Sequence, residues 1–345
     1  MIILLEGSLK CDRSCKYCYQ KILHSQSTSS YDKEAIARVV RFLYKKYRDG
    51  IVLHGGEPLL LPLRDIEYFL RLSYELSGKS AICTNGLLIN EDHIKLFKKY
   101  NTSVSLSIDG FHPQNILRCN KEETRRVLEN ISILSDENIF VTLMIVAHKL
   151  NYNYIPEFIA RMSRIVKSFK VNHEGFTSYS ISPTILYLLW KKLANMQILP
   201  SDISIEPITS FVNSLLGIPD VDCFLTPCDP FCTERAKRVL GNGRIMNCYF
   251  VPTQASYTFK PSYKRYYILE RRDCRNCKYW NYCYGGCAAY LYHKDKYCYA
   301  YYKIFDYLAN FLHKRCYFTE VFPNEDTILD FTFQFSGRDS GADFW

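Results

Sequence analysis

Cys11-Asp12-Arg13-Ser14-Cys15-Lys16-Tyr17-Cys18-Tyr19 follows an apolar start, and its reading decides the rest. Three thiols fall within eight residues at C-x3-C-x2-C spacing, with an aromatic residue before the third. A loop this short can wrap three thiolates round one inorganic centre, but it offers no fourth. A four-iron cluster ordinarily takes four cysteines, so here one iron is left open. An open coordination position is where metal chemistry takes place. The start, MIILLEGSLKC, lacks the basic segment and small-residue cleavage site of a signal peptide, so it reads as the first strand of a cytoplasmic protein. In that reducing setting the 15 cysteines are read as metal ligands rather than disulfides.

Around the loop, short β-rich runs alternate with amphipathic segments. Strands are predicted at Ile2–Leu5, Ile51–His54, Ser80–Thr84, Ser103–Ile108, Phe140–Val146 and Val166–Val171. Helices are predicted between them near Tyr31–Tyr47, Leu63–Leu76, Glu91–Lys98, Lys121–Ser135 and Tyr152–Arg164, with Asp32 or Ser30 capping the first. This alternation implies an α/β fold with parallel strands and right-handed crossovers. A closed eight-fold barrel needs about 250 residues. The repeat stops near residue 172, so a partial (β/α)6 TIM-like barrel is expected over 1–175. A helical bridge (176–222, with helices at Ile185–Met196 and Ile208–Leu216), a cysteine-rich domain (223–318) and a tail (319–345, with one strand near Asp330) follow.

In barrels of this kind the loops after the strands carry the chemistry. The distinctive residues fall there: the cysteine loop, His54-Gly55-Gly56-Glu57-Pro58, Thr84-Asn85-Gly86 and Ser107-Ile108-Asp109-Gly110. Together, over roughly 1–175, they resemble the radical S-adenosylmethionine (radical SAM) enzymes. The resemblance implies that Cys11, Cys15 and Cys18 hold a 4Fe–4S cluster whose open iron chelates SAM. It also places Tyr17 beside the adenine, and Gly55, Gly56 and Glu57 at the SAM amino group. Asn85 then lies in the cofactor site, Ser107 and Asp109 near the ribose, and Arg118 at the SAM carboxylate, although the His-Asp pair usual before that Arg is missing. Glycines suit a close backbone approach, and a carboxylate partners an ammonium. Cys83, beside the TNG turn, and Cys119 are read as packing residues, Cys83 with a minor claim on the site.

Ten of the cysteines lie between Cys223 and Cys316. Cys232-x10-Gly243-x4-Cys248, Cys274-x2-Cys277-x5-Cys283-x3-Cys287 and Cys298 resemble the SPASM domain of peptide-modifying radical SAM enzymes and anaerobic sulfatase-maturating enzymes. The resemblance implies two auxiliary 4Fe–4S clusters. Cys274, Cys277, Cys283 and Cys298 hold one; Cys232, Cys248, Cys287 and Cys228 hold the other, with Cys223 competing for the place of Cys228. Sets of four thiols also suit zinc. Sulfatase-maturating relatives carry a proton-accepting Asp directly after the Gly-x4-Cys cysteine, and here Tyr249 stands in its place. A neutral phenol, with pKa about 10, is a poor base.

The resemblance therefore implies an oxidoreductase that cleaves SAM reductively to a 5′-deoxyadenosyl radical and removes hydrogen from a peptide residue. Tyr249 turns the expectation toward a thioether or carbon–carbon crosslink. Alternatives are sulfatase-maturase-type oxidation of Cys or Ser, and a non-catalytic iron–sulfur or zinc module contacting nucleic acid. Expected partners are a precursor peptide or small protein, a one-electron donor of flavodoxin or ferredoxin type, and, since only ten residues precede Cys11, a separate leader-recognition protein. No run approaches the roughly 18 apolar residues of a membrane span. The 44 Lys and Arg against 35 acids are not blocked together, and nucleic acid is not expected as a partner.

Overall fold

The computed structural model describes residues 2–20, 30–48, 50–175, 177–198, 202–219, 221–226, 236–246, 269–270, 273–287 and 297–321. The first strands and helices alternate as β1 (Ile2–Glu6), α1 (Lys33–Tyr47), β2 (Gly50–His54), α2 (Leu63–Ser77), β3 (Ser80–Thr84), α3 (Glu91–Lys99) and β4 (Thr102–Ser107). The alternation continues through α4 (Lys121–Asp136), β5 (Val141–Ala147), α5 (Ile155–Met162), β6 (Ser168–His173), α6 (Pro183–Ile198), β7 (Ser204–Glu206) and α7 (Ile208–Leu216). A hairpin of β8 (Ala236–Leu240) and β9 (Ile245–Met246), a short α8 (Trp280–Cys283) and a long α9 (Cys298–Val321) complete the described chain. Local chemistry sets the helix starts. Asp32 caps α1 by accepting from the Ala35 amide at 2.9 Å, and Asn120 and Glu123 form a reciprocal capping box on α4.

Among the described residues, nine strands form one sheet in the order β7-β6-β5-β4-β3-β2-β1-β8-β9, open between its two edge strands. Every pairing is parallel except β8 with β9. Alternation along the strands separates two faces. Ile3, Leu5, Val104, Leu106, Phe169 and Ile205 join the helix-covered core, whereas Leu4, Val52 and Ala81 form a separate small cluster on the inner face.

Six strands were expected in the barrel, and nine are found in the sheet among the described residues. The three-residue β7 lies in the stretch expected to be helical, where it pairs with β6. The β8–β9 hairpin lies within the cysteine-rich stretch yet extends the barrel sheet, pairing with β1 from Ile2↔Ala236 to Glu6↔Leu240. Arg238 is fully buried there, and its Nε and a terminal nitrogen donate to the two Glu6 oxygens at 3.0 and 2.6 Å. Burial of two charges is costly, but this bidentate geometry recovers much of that cost. Gly243 of the C-x10-G-x4-C spacing is the hairpin turn, at φ +76°. A Cβ there would stand 3.0 Å from the Ala35 Cβ, because the turn packs on the start of α1. Asp32 completes the junction by donating its amide to the Gly241 carbonyl at 2.8 Å.

The long helix α9 docks through aromatic rings. Trp190 of α6 packs edge-on against Tyr301 at 5.2 Å and Phe211 of α7 at 5.0 Å, and Phe211 meets Phe305 at 5.3 Å. Ser214 donates to the Tyr282 carbonyl at 2.7 Å, tying the cysteine loop of α8 to α7. Among the described residues no helix is long and apolar enough to cross a membrane. The strand expected near Asp330 lies outside the described residues.

Candidate active site

The cysteine loop is held by the loop after β2. The Gly56 amide donates to the Ser8 carbonyl at 3.1 Å and the Glu57 amide to the Lys10 carbonyl at 2.8 Å, so the chain into Cys11 continues as an extended partner of β2. The contact admits no side chain. A Cβ on Gly56 would lie 2.2 Å from the Lys10 oxygen, and one on Gly55, at φ +146°, 2.3 Å from the Ser8 oxygen. The glycines expected to admit a ligand thus also admit the backbone that delivers Cys11. Within the loop, the Cys18 amide donates to the Cys15 carbonyl at 3.2 Å and Arg13 donates its amide to the Cys11 sulfur at 3.4 Å.

Glu57 is buried beneath this contact. Its carboxylate accepts from Thr84 Oγ1 at 2.6 Å, the Asn85 amide at 2.7 Å and the Leu59 amide at 3.0 Å. Burial pushes its carboxyl up to about 7 against these bonds. Three donors on a carboxylate with about four acceptor positions leave room for one more. Asn85 reaches the other way, donating Nδ2 to Asp12 Oδ1 at 2.7 Å. The TNG turn therefore ties the GGE loop to the cysteine loop.

Asp109 joins a further set of elements. Fully buried, it accepts from the Val146 amide at Oδ1 (2.9 Å); its Oδ2 takes the Tyr17 hydroxyl, with Arg118 Nε at 3.5 Å and His148 Nε2 at 3.8 Å. Burial alone would raise its pKa; Arg118, with His148 and Tyr17, outweighs that and holds it below the ordinary range. The Arg118 guanidinium lies 5.6 Å from the Tyr17 ring centre, and the Lys16 amide donates to the Leu117 carbonyl at 3.0 Å. Ser107 keeps accessible surface on the inner wall and Asp109 has none. Of the two residues expected near a ribose, Ser107 can face a ligand directly, while Asp109 acts through Tyr17 and Arg118. Arg118, weakly marked in sequence, is brought to the cysteine loop.

A second polar group lies on the inner face and was missed in the sequence. His54 Nδ1 stands 3.4 Å from Glu6 Oε1, beside the Glu6–Arg238 pair. Burial would depress His54, but the Cys83 thiol and the Glu6 carboxylate beside it outweigh that and raise it to about 10. Only the separation of Glu6 from Arg238 by 232 residues hides this group; each residue alone is an ordinary surface type.

None of the cysteines whose side chains are described is joined in a disulfide. Burial, with Glu57, Asp12 and Cys15 nearby, pushes Cys11 up to about 12 against the Arg13 amide. As a free thiol it stays protonated, and a bound cation is what would hold it as thiolate. Burial likewise raises Cys283 to about 11, with Cys277, Cys298 and Cys274 adding to the shift. Cys277, Cys298 and Cys274, expected to share a centre with Cys283, are thus near enough to act on it. Cys228, Cys232, Cys248 and Tyr249 lie outside the described residues. Among the described residues no three His, Cys, Asp or Glu side chains are already gathered as a metal cage. The donor sets still fit iron–sulfur chemistry: soft thiols throughout, three at the first loop and four at the second.

Comparison with known proteins agrees with this geometry. The radical SAM superfamily profile matches residues 5–162. A cysteine-type anaerobic sulfatase-maturating enzyme of Clostridium perfringens (strain 13 / Type A) is 24% identical over 361 residues, spanning 89% of this chain and 95% of that protein. An uncharacterised protein of Archaeoglobus fulgidus is 23% identical over 337 residues, spanning 85% of this chain and 77% of its own. Among solved structures, anSMEcpe with bound AdoMet superposes with a TM-score of 0.74 at 18% identity, covering 91% of this chain and 98% of that one. SuiB of Streptococcus suis bound to its precursor peptide SuiA superposes with a TM-score of 0.61 at 18% identity, covering 86% and 73%. These superpositions show a shared fold. The profile match marks residues 5–162 as a radical SAM superfamily domain, and a cysteine-rich region follows it in the sequence.

Proposed function

We propose that this protein is a radical SAM maturase that oxidises a side chain of a peptide or small protein. The observation that carries this reading is the convergence of four strand-end loops. The cysteine loop is hydrogen-bonded to the GGE loop, the TNG turn bonds to both, and Tyr17 and Arg118 meet on Asp109. Cys11, Cys15 and Cys18 would hold the 4Fe–4S cluster, with Gly55, Gly56, Glu57, Asn85, Ser107, Tyr17 and Arg118 around SAM. When bound, that pair supplies a 5′-deoxyadenosyl radical able to remove an unactivated hydrogen. The chain's part is to orient the substrate and exclude water. Cys274, Cys277, Cys283 and Cys298 would hold one auxiliary cluster; Cys228, Cys232, Cys248 and Cys287 the other.

The sequence placed crosslinking first and sulfatase-maturase-type oxidation second. The comparisons support the reverse order, because the sulfatase-maturating relative aligns over nearly the whole of both chains. Loss of two hydrogens from a Cys or Ser side chain is therefore the reaction proposed. The structure of anSMEcpe with AdoMet and the Cp18Cys peptide, which superposes with a TM-score of 0.73, supports a peptide as substrate class. The test is anaerobic: cluster-loaded enzyme, a flavodoxin- or ferredoxin-type donor, SAM and a synthetic Cys or Ser peptide. The expected products are 5′-deoxyadenosine and a peptide two hydrogens lighter at Ser; at Cys the thioaldehyde so formed takes up water and loses hydrogen sulfide, leaving the aldehyde. An unmodified peptide and no 5′-deoxyadenosine would refute the reading.

A further inference from the structure

The inner wall carries an acidic side chain on β7 that the cluster and SAM loops leave unused. The registers Ser107↔Met144, Met144↔Lys170 and Lys170↔Glu206 set these four residues in one row across β4, β5, β6 and β7. Their sequence neighbours Leu106, Ile145, Phe169 and Ile205 belong to the helix-covered core, so the row faces inward beside Ser107. Three strand spacings of about 4.8 Å put Glu206 about 14 Å along the concave sheet from Ser107. About four extended residues of a peptide cover that distance.

Glu206 is not an isolated acid. Lys170 Nζ lies 2.6 Å from Asp222 Oδ1, the two side chains only 13% and 6% exposed, so Asp222 takes up the lysine's charge. Ser210 of α7 donates its amide to Glu206 Oε2 at 3.3 Å and its Oγ accepts the Asp222 amide at 2.9 Å. Glu206 nonetheless keeps accessible surface. Burial, with Asp222 beside it, pushes its carboxyl up to about 7 against Lys170 and Ser210. Lys170 from β6, Asp222 from the segment after α7 and Ser210 from α7 are the groups that act on it. Capping α7 explains the Ser210 bond; it explains neither the buried ion pair on the same row nor the surface that Glu206 keeps.

We propose that Glu206, seated against the Lys170–Asp222 pair, accepts the proton released when the substrate side chain is oxidised. The inference rests on the proposed function above and deepens it, supplying the acid–base residue that Tyr249 is too weak to be. In that step a C–H bond at the side-chain β-carbon breaks and its hydrogen atom passes to the 5′-deoxyadenosyl carbon. The S–H or O–H bond of the same side chain breaks, its proton going to Glu206. One electron leaves to an iron–sulfur cluster as the carbon–sulfur or carbon–oxygen double bond forms.

The test uses Glu206→Gln, which keeps an acceptor for the Ser210 amide and removes the base. Cluster-loaded wild type and variant are given SAM, reductant and a synthetic peptide whose cysteine is deuterated at the β-carbon. The ratio of oxidised peptide to 5′-deoxyadenosine is expected to fall roughly 10²–10⁴-fold, the range for loss of a positioned base. Deuterium should still reach 5′-deoxyadenosine. Glu206→Asp should restore part of the ratio with a displaced pH profile. Infrared difference titration should show a carboxyl proton leaving near pH 7 in wild type and absent from E206Q. An unchanged ratio and pH profile in E206Q would overturn the assignment of Glu206 while leaving the reaction class standing. Wild type that transfers no deuterium would overturn the reaction class, and this assignment with it.

Discussion

Replacing Gly56 with Ala tests how the cysteine loop is placed. The new methyl would sit 2.2 Å from the Lys10 oxygen and 2.3 Å from the Leu9 oxygen, both backbone atoms that no rotamer change can move. Reaching the closest contact real Cβ atoms make, 3.0 Å, requires the chain at residues 9–10 to recede by about 0.8 Å (3.0 minus 2.2). That movement strains or breaks the Gly56–Ser8 and Glu57–Lys10 hydrogen bonds, each worth roughly 0.5–1.5 kcal/mol. Overpacking adds roughly 1–3 kcal/mol. The loss of about 2–6 kcal/mol is a large share of a typical stability of roughly 5–15 kcal/mol. Cys11 is the next residue, so the same displacement should weaken cluster retention and SAM binding. Thermal unfolding of the metal-free chain, iron content after reconstitution and equilibrium SAM binding measure the three effects. Gly78→Ala is the control: its φ of +75° is strained for Ala, but nothing lies within 4 Å of the new methyl. If G56A melted with G78A and bound iron and SAM like wild type, the packing of residues 8–10 on the GGE loop would not be what positions Cys11.

Three further outcomes are expected. Asp109→Ala leaves Arg118 buried without its carboxylate, which should cost roughly 3–5 kcal/mol in denaturant unfolding; a loss under about 1 kcal/mol would contradict the hub reading. Cys15→Ala should abolish 5′-deoxyadenosine formation, whereas Cys283→Ala should spare part of it while stopping peptide oxidation; equal loss from both would argue against separate roles for the two thiol sets. The raised pKa of His54 stabilises the fold fully below the unfolded value of about 6.5, and that contribution is lost as pH rises through about 10. The melting temperature should therefore decline across that interval, and His54→Gln should flatten the decline; identical slopes would show that Cys83 and Glu6 do not hold the proton on His54.

The first six strands and the helices between them were legible because each carries its own period. The segment expected at Glu91–Lys98, for example, is found at Glu91–Lys99, and Ser80–Thr84 is found as expected. What escaped was set by distant partners. The β7 strand is three residues long and has no period to read. Ala-Lys-Arg-Val-Leu of β8 shows two cations in a basic chain, and only pairing with β1 buries Arg238 against Glu6. Likewise the motif at Ser107–Gly110 marks a loop, but nothing local to it shows that Asp109 meets Tyr17, Arg118 and His148. Glu206 belongs to no motif; the register with Lys170 turns it inward.

The most direct test follows one hydrogen. Cluster-loaded enzyme, about twelve irons per chain if all three thiol sets carry four-iron clusters, is reduced anaerobically with SAM and a peptide deuterated at the cysteine β-carbon. The expected result is 5′-deoxyadenosine carrying deuterium together with a peptide whose cysteine has lost one deuterium and one hydrogen, seen as the thioaldehyde or, after water has displaced the sulfur as hydrogen sulfide, as the aldehyde. Fully iron-loaded enzyme that forms no 5′-deoxyadenosine, or forms it without deuterium while the peptide stays intact, would contradict the account.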